Sequence, residues 1–358
     1  MTFERVFAFL ASFAVAALIT PLVRMCASRR GVWDMPDGTR RHHSAPVALW
    51  GGVALWIAMA AVGLPAWKLG LLTDAKIDDT QLAGIFIGSL LLVAGGMWDD
   101  VKGLKPWRQF LFPLMAVGVS VACGIGVSYI TNPFVSGTGP YGRALYYIAP
   151  GVGTVVALLW LLGTIYTTKL LDGLDGLVSG VGVIGSMILF VVSLYWDAPL
   201  SGTSYLALIT AGACLGFLIY NIYPASIFLG EGGATLVGYF LGVLAIISGA
   251  KIATALLIMG IPILDVAWII VRRIVVEKKS FARGDRKHLH YRLLDAGFTH
   301  RQAVAFLWCL TAFFGTISIF LQSTQKLVAL GGLTFVMLCL GIFVVKKSKV
   351  NSYPAAKL

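Results

Sequence analysis

About eleven apolar stretches, each close to the ~20 residues that carry a helix across bilayer hydrocarbon, run the length of this 358-residue chain. They lie near residues 5–27, 48–67, 81–99, 107–128, 145–167, 177–196, 203–221, 235–250, 252–271, 302–322 and 327–346. With 58% hydrophobic and only 12% charged residues, the chain has too little polar surface to wrap a soluble globule. A backbone in lipid must satisfy its own hydrogen bonds, and helices do so within one segment. The expected fold is therefore all-α: a polytopic integral membrane helical bundle of about eleven transmembrane helices joined by polar loops. The first stretch is long, ends in Leu22-Val23-Arg24 and lacks a small-residue cleavage pattern, so it is expected to stay as a helix rather than leave as a signal peptide. No Pro/Gly/Ser-rich linker or internal repeat divides the chain, and 1–358 reads as one transmembrane domain.

The net charge of +12 is not spread evenly. Alternating the eleven stretches puts 22 of the 28 Lys and Arg residues on one side. By the positive-inside rule that side is cytoplasmic, which makes the N-terminus external and the C-terminus cytoplasmic in a multi-pass membrane protein. Orientation and contact with anionic headgroups account for the basic excess, so nucleic acid is not an expected partner. Five cysteines are scattered through the apolar stretches without a CxxC pair and read as small hydrophobes.

The same side gathers the polar chemistry in five places, centred on Asp34–Ser44, Asp99–Arg108, Lys169–Asp175, Asn221–Thr235 and Arg283–Arg292. Asp99 and Asp100 end the third stretch. Consecutive helical residues diverge by about 100°, so the two carboxylates have different tasks, one facing the bundle as base or metal ligand and the other facing Lys102, Lys105 or solvent. Asp172 and Asp175, three apart, share a helical face, and Gly173 and Gly176 allow a ligand to approach the backbone. Gly230-Glu231-Gly232-Gly233 runs into a helix, where backbone N–H groups can receive phosphate and an acid can help hold Mg²⁺. Arg283-Gly-Asp285-Arg286-Lys287-His288-Leu-His290-Tyr291-Arg292 carries imidazole and guanidinium at a density suited to a diphosphate or an acidic sugar donor. With no cysteine or third ligand near the His-x-His pair, zinc is disfavoured.

In order along the chain, Asp34-Met-Pro36-Asp-Gly-Thr-Arg40-Arg41-His-His43, Asp99-Asp100, Asp172-x-x-Asp175, Asn221-x-x-Pro224-Ala225-x-x-Phe228 and His288-x-His290 resemble the motifs of the polyprenyl-phosphate N-acetylhexosamine-1-phosphate transferases, the WecA/TagO and MraY superfamily. The resemblance implies transfer of N-acetylhexosamine-1-phosphate, GlcNAc-1-phosphate first, from a UDP-sugar to polyprenyl phosphate, with Mg²⁺ (or Mn²⁺) as cofactor and UMP as product. This is an initiating step of cell-envelope glycan synthesis, as for lipopolysaccharide or teichoic acid. By the same carry-over Asp99 is the base or activator of the lipid phosphate, Asp100 supports the site, and Asp172 acts with Asp175 on nucleotide or metal. Glu231, Asp172 and Asp99 are the expected metal ligands. Arg41, His43, Lys169, Asn221, Arg286, His288 and His290 are expected to contact the donor or its phosphates, and Phe228 to stack on uracil. The resemblance also implies a homodimer, with no interface legible in the sequence. Absence of three consecutive histidines favours the WecA/TagO side over phospho-N-acetylmuramoyl-pentapeptide transfer. A cation-coupled transporter, the reading from another class, calls for acids in mid-span or broken helices in matched halves.

The chain departs from the common pattern at several positions. Tyr166 and Lys169 stand where two asparagines are usual, Tyr291 where a second histidine is common, and Glu231 where the metal-binding residue is ordinarily Asp. Gly233-Ala234 replaces a common Gly-Ser. Lys169 and Glu231 are expected to be coupled, a lysine charge near the donor phosphates answering a longer acid.

Overall fold

The computed structural model describes residues 3–35, 45–136, 143–196, 201–248, 252–276 and 288–351. Helices fall on every one of the expected apolar stretches. They are α1 (Phe3–Arg29), α2 (Gly51–Lys68), α3 (Asp79–Lys102), α4 (Pro106–Ala122), α5 (Pro150–Leu171), α6 (Leu177–Trp196), α7 (Gly202–Asn221), α8 (Gly230–Ile247), α9 (Ile252–Ile258), α10 (Gly260–Val271), α12 (His300–Phe320) and α13 (Ser323–Asn351), with a short α11 (Leu289–Asp295) between α10 and α12. Among the described residues nine helices are long and apolar enough to cross a membrane, and the bent pair α9–α10 makes a tenth. The expected count was eleven; the remaining helix, α4, has 17 residues, short of the ~20 that span hydrocarbon.

Local sequence sets the ends. Asp78 and Gln81 form a reciprocal capping box at the start of α3, and Gly103, in the left-handed region at φ 59°, closes its end. Thr299 and Gln302 cap α12 in the same way. Pro106 and Pro150 open α4 and α5, where a missing N–H costs nothing. The stretch expected as one straight span over 252–271 is instead bent by 79°. Pro262, four residues after Ile258, has no N–H to continue the ladder, and Met259-Gly260 takes up the break.

Two small antiparallel pairs interrupt the all-α expectation. β1 (Trp33–Asp34) pairs with β2 (Val47–Ala48), and β3 (Tyr129–Ser136) pairs with β4 (Arg143–Tyr147). Tyr129, Ile130 and Thr131 face Tyr147, Tyr146 and Leu145, a pairing of β-branched and aromatic residues.

Close backbone approach brings neighbouring helices of the bundle together at several places. A Cβ on Gly212 would lie 2.4 Å from the Phe9 carbonyl, and one on Gly216 would lie 2.3 Å from that of Phe13, so this small-xxx-small face lets α7 lie against α1. The core runs through α6, α7 and α8, where Tyr205, Tyr239, Phe217 and Phe240 are fully buried. Tyr239 is satisfied there by Ser120 Oγ at 2.6 Å and the Ile85 carbonyl at 3.2 Å. All five cysteines are free.

Candidate active site

The described parts of the five polar stretches meet at one end of the bundle. The loop before α8 is docked on the start of α2. Phe228 N–H donates to the Ala48 carbonyl at 2.9 Å, while Gly51 and Gly52 N–H donate to the Phe228 and Leu229 carbonyls at 3.0 and 2.8 Å. Below it, the first turn of α8 touches two other helices at backbone distance. A Cβ on Gly96 would lie 2.1 Å from Gly232 N, and one on Gly52 would lie 2.3 Å from Gly233 N. The glycines expected to open this turn to phosphate are therefore used for packing. The Glu231 N–H is also taken, donating to Asp100 Oδ1 at 3.1 Å.

This packing separates the two adjacent carboxylates. Asp99 Oδ1 accepts from Leu104 N–H at 2.7 Å, and both its oxygens accept from Gln109 Nε2, at 3.0 and 3.1 Å. These bonds tie Asp99, expected as base or metal ligand, into the α3–α4 turn. Asp100 faces α8. Gln109 in turn accepts from Lys169 Nζ at 3.1 Å, and Lys169 pairs with Glu231 Oε1 at 2.5 Å, both side chains being about four-fifths buried. A chain Glu231–Lys169–Gln109–Asp99 thus joins α8, α5, α4 and α3.

Asp172 caps the end of α5. Its side chain is exposed to water. Crowding by protein, and then the charges of Glu231, Asp175, Asp100 and Asp34, push its acid up to about 8. Asp175 Oδ2 accepts from Ala225 N–H at 2.9 Å. Asn221, expected to bind the donor, is buried, and its carboxamide ties the start of α6 to the loop before α8. Its Oδ1 accepts from Gly176 N–H at 3.2 Å and Ser179 Oγ at 2.7 Å, and its Nδ2 donates to the Ile227 carbonyl at 3.1 Å.

From the other side α11 closes over the Asp172–Gly173 turn. A Cβ on Gly173 would lie 2.3 Å from His290 Nε2 and 2.8 Å from Tyr291 Oη. His288 Nδ1 lies 2.8 Å from Asp265 Oδ2, and Leu289 N–H donates to Asp265 Oδ1 at 2.9 Å, so one carboxylate of α10 orients the ring and holds the start of α11. His290 stacks on His288 with centroids 5.5 Å apart. It is 1% exposed, and neither ring nitrogen has a hydrogen-bond partner among the described residues. Burial, then the His288 charge, pulls its pKa down to about 3, so the ring is neutral. Phe228 is half-buried. Arg41, His43 and Arg286 lie outside the described residues.

Sequence reasoning missed Gln109 and Asp265, and it quoted Asp34 only inside a motif. Asp265 did carry a signal, being a lone acid within an apolar stretch, where an ionisable group is functional by default.

A helical membrane bundle with carboxylates, one ammonium and two imidazoles gathered at one end is the form of a membrane-embedded enzyme acting on charged substrates. Residues 82–249 match the model of glycosyl transferase family 4. The chain is 30% identical over 324 residues to the probable undecaprenyl-phosphate N-acetylglucosaminyl 1-phosphate transferase of Bacillus subtilis, a match covering 89% of this chain and 85% of that one. It is 31% identical over 355 residues to the decaprenyl-phosphate N-acetylglucosaminephosphotransferase of Mycolicibacterium smegmatis, covering 88% and 83%. The phospho-N-acetylmuramoyl-pentapeptide-transferase of Borreliella burgdorferi is 26% identical over 340 residues, covering 89% and 94%. The chain belongs to glycosyl transferase family 4, in its WecA/TagO branch.

Proposed function

We propose that this protein transfers N-acetylglucosamine-1-phosphate from its UDP conjugate to a polyprenyl phosphate. An oxygen of the lipid phosphate attacks the β-phosphorus of the UDP-sugar, the bond to the α-phosphate oxygen breaks, and polyprenyl-diphosphate-sugar and UMP result. The observation that carries the reading is the meeting of Asp100, Asp172 and Lys169 at one end of a membrane bundle whose relatives are named for this transfer. Repulsion between a phosphate nucleophile and a diphosphate is the main obstacle, and positive charge at the site offsets it.

An all-oxygen donor set suits a hard cation. Among the described residues no three acidic or histidine side chains converge closely enough to enclose a metal. That is compatible with Mg²⁺, which takes one or two carboxylates and completes its shell with water and substrate phosphates. Asp100 and Asp172 would hold it, and it would supply positive charge against the donor diphosphate. His288, fixed by Asp265, and His290 on the Asp172–Gly173 turn would bind and orient the donor. The charge distribution supports a cytoplasmic site, on the side where UDP-sugars are made, and a cytoplasmic C-terminus.

The test is UMP release by the purified protein with a panel of UDP-sugars, dependent on added polyprenyl phosphate and Mg²⁺. Asp172→Asn is expected to lower turnover at least about a hundredfold while the protein extracts and migrates as wild type. Near-wild-type turnover of that variant sinks the site. Preference for UDP-N-acetylmuramoyl-pentapeptide would move the protein to the other branch.

A further inference from the structure

We infer that Lys169 is a built-in cation of the reaction and that Glu231 is a positioning residue that holds it, not a ligand of the metal. The inference rests on the transfer reaction proposed above and concerns how the charges of that site are divided. Two anchors fix the ammonium: Glu231 Oε1 at 2.5 Å from α8 and Gln109 Oε1 at 3.1 Å from α4. Gln109 is itself fixed, because its Nε2 donates to both oxygens of Asp99 and to the Leu104 carbonyl at 3.1 Å. The face of Tyr166 lies 5.6 Å from the same nitrogen. A lysine on a flexible stem usually remains mobile at a surface; this one is held from three helices and is about four-fifths buried.

The consequence for the carboxylates is unequal. Glu231 already has a full counter-charge in contact, and Asp99 has its hydrogen bonds. Asp100 and Asp172 have no ammonium or guanidinium in contact among the described residues, and the acids crowd one another around Asp172. A divalent cation gains most where negative charge is unbalanced, at Asp100 and Asp172, and would have to displace Lys169 to use Glu231. Two positive centres then face the substrates, one brought by the metal and one supplied by α5. Glu231 suits the second role by its reach, one methylene longer than Asp, across the gap from α8 to α5.

The test combines a charge-removal cycle with direct metal binding. Lys169→Met is expected to lower kcat at least about a hundredfold, and Lys169→Arg to recover at least a tenth of wild-type kcat. Glu231→Gln should lower kcat about tenfold by loosening the lysine, and Lys169→Met/Glu231→Gln should be no slower than Lys169→Met alone, because an anchor has nothing left to hold. Mn²⁺ binding to the detergent-purified protein is followed by the electron paramagnetic resonance signal of free Mn²⁺. Glu231→Gln should leave the affinity within about threefold of wild type, whereas Asp172→Asn should weaken it at least tenfold. Additive losses in the cycle, or an equal loss of Mn²⁺ affinity in Glu231→Gln and Asp172→Asn, overturn the inference. The binding arm also identifies a variant that has failed to fold, since such a protein binds no Mn²⁺ at all, and the Lys169→Arg arm then decides: less than a hundredth of wild-type kcat with intact Mn²⁺ binding overturns it. An active wild type that binds no Mn²⁺ counts against the metal in the proposed function and leaves Lys169 the main cation, in support of this one.

Discussion

Helices α8 and α13 are both apolar enough to cross a membrane, yet 89% of the spanning window is buried inside the protein in α8 and 11% in α13. Hydrophobicity does not separate them in the direction a soluble protein would suggest, because α13 is the more apolar. α8 is marked instead by glycines at 230, 232, 233, 238 and 242, with Thr235 and Tyr239 between them. Lipid tails reward apolar surface as well as a protein interior does, so what distinguishes an inner helix is how closely others can approach it. Glu231 lies in the first turn of α8, where Gly232 and Gly233 meet α3 and α2 at backbone distance.

The same substitution made beside each helix breaks or sharpens this contrast. Gly96→Val, which would drive a Cβ to 2.1 Å from Gly232 N, is expected to cost about 3 kcal/mol or more, toward the upper end for overpacking. It should appear as a clear loss of monodisperse protein or of melting temperature in detergent; an unchanged melting temperature would mean that α3 and α8 are not locked together. A smaller effect concerns the lid over the inner helices. His290 falls to about 3 in the folded protein from 6.5 when free, so below pH 6.5 the unfolded chain binds a proton that the folded one refuses. The contribution of His290 to stability therefore falls as pH drops, by about 1.4 kcal/mol at pH 5.5. The stability of wild type relative to His290→Phe should rise by about that amount between pH 5.5 and 7.5, the carboxylates being common to both proteins, and a pH-independent difference would place the ring in water. Smallest of all is Gly332→Val in α13, where nothing lies within 4 Å of the new Cβ. It should shift stability by no more than about 0.5 kcal/mol, and a large loss would reveal a partner on that face.

The helical architecture was legible because a ~20-residue apolar run has few alternatives in lipid. Asp99–Asp100, Asp172, Glu231 and His288–His290 were legible as residues, since ionisable groups beside apolar runs stand out. Their division of labour was not. Which of Asp99 and Asp100 faces α8 depends on helix rotation, and that is set by Gly96 meeting Gly232, a contact 136 positions apart. Gln109 carried no charge to attract notice, and its role exists only because α4 lies between α3 and α5. The glycines of 230–233 were read as a phosphate cradle from local sequence, whereas Gly52 and Gly96 fill the space beside them. The coupling expected between Lys169 and Glu231 now has a contact to support it, and the break at Met259 was foreshadowed by Pro262.

The glycine contacts among α2, α3 and α8 have a mechanical consequence. A bilayer that thins or thickens makes helices tilt, and a site assembled from long side chains would be sheared as their bases moved apart. Here Gly52, Gly96, Gly232 and Gly233 weld three helix ends together with almost no side-chain leverage between them. The distances among Asp100, Glu231 and their neighbours are therefore expected to change less with membrane thickness than those on outer helices such as α13.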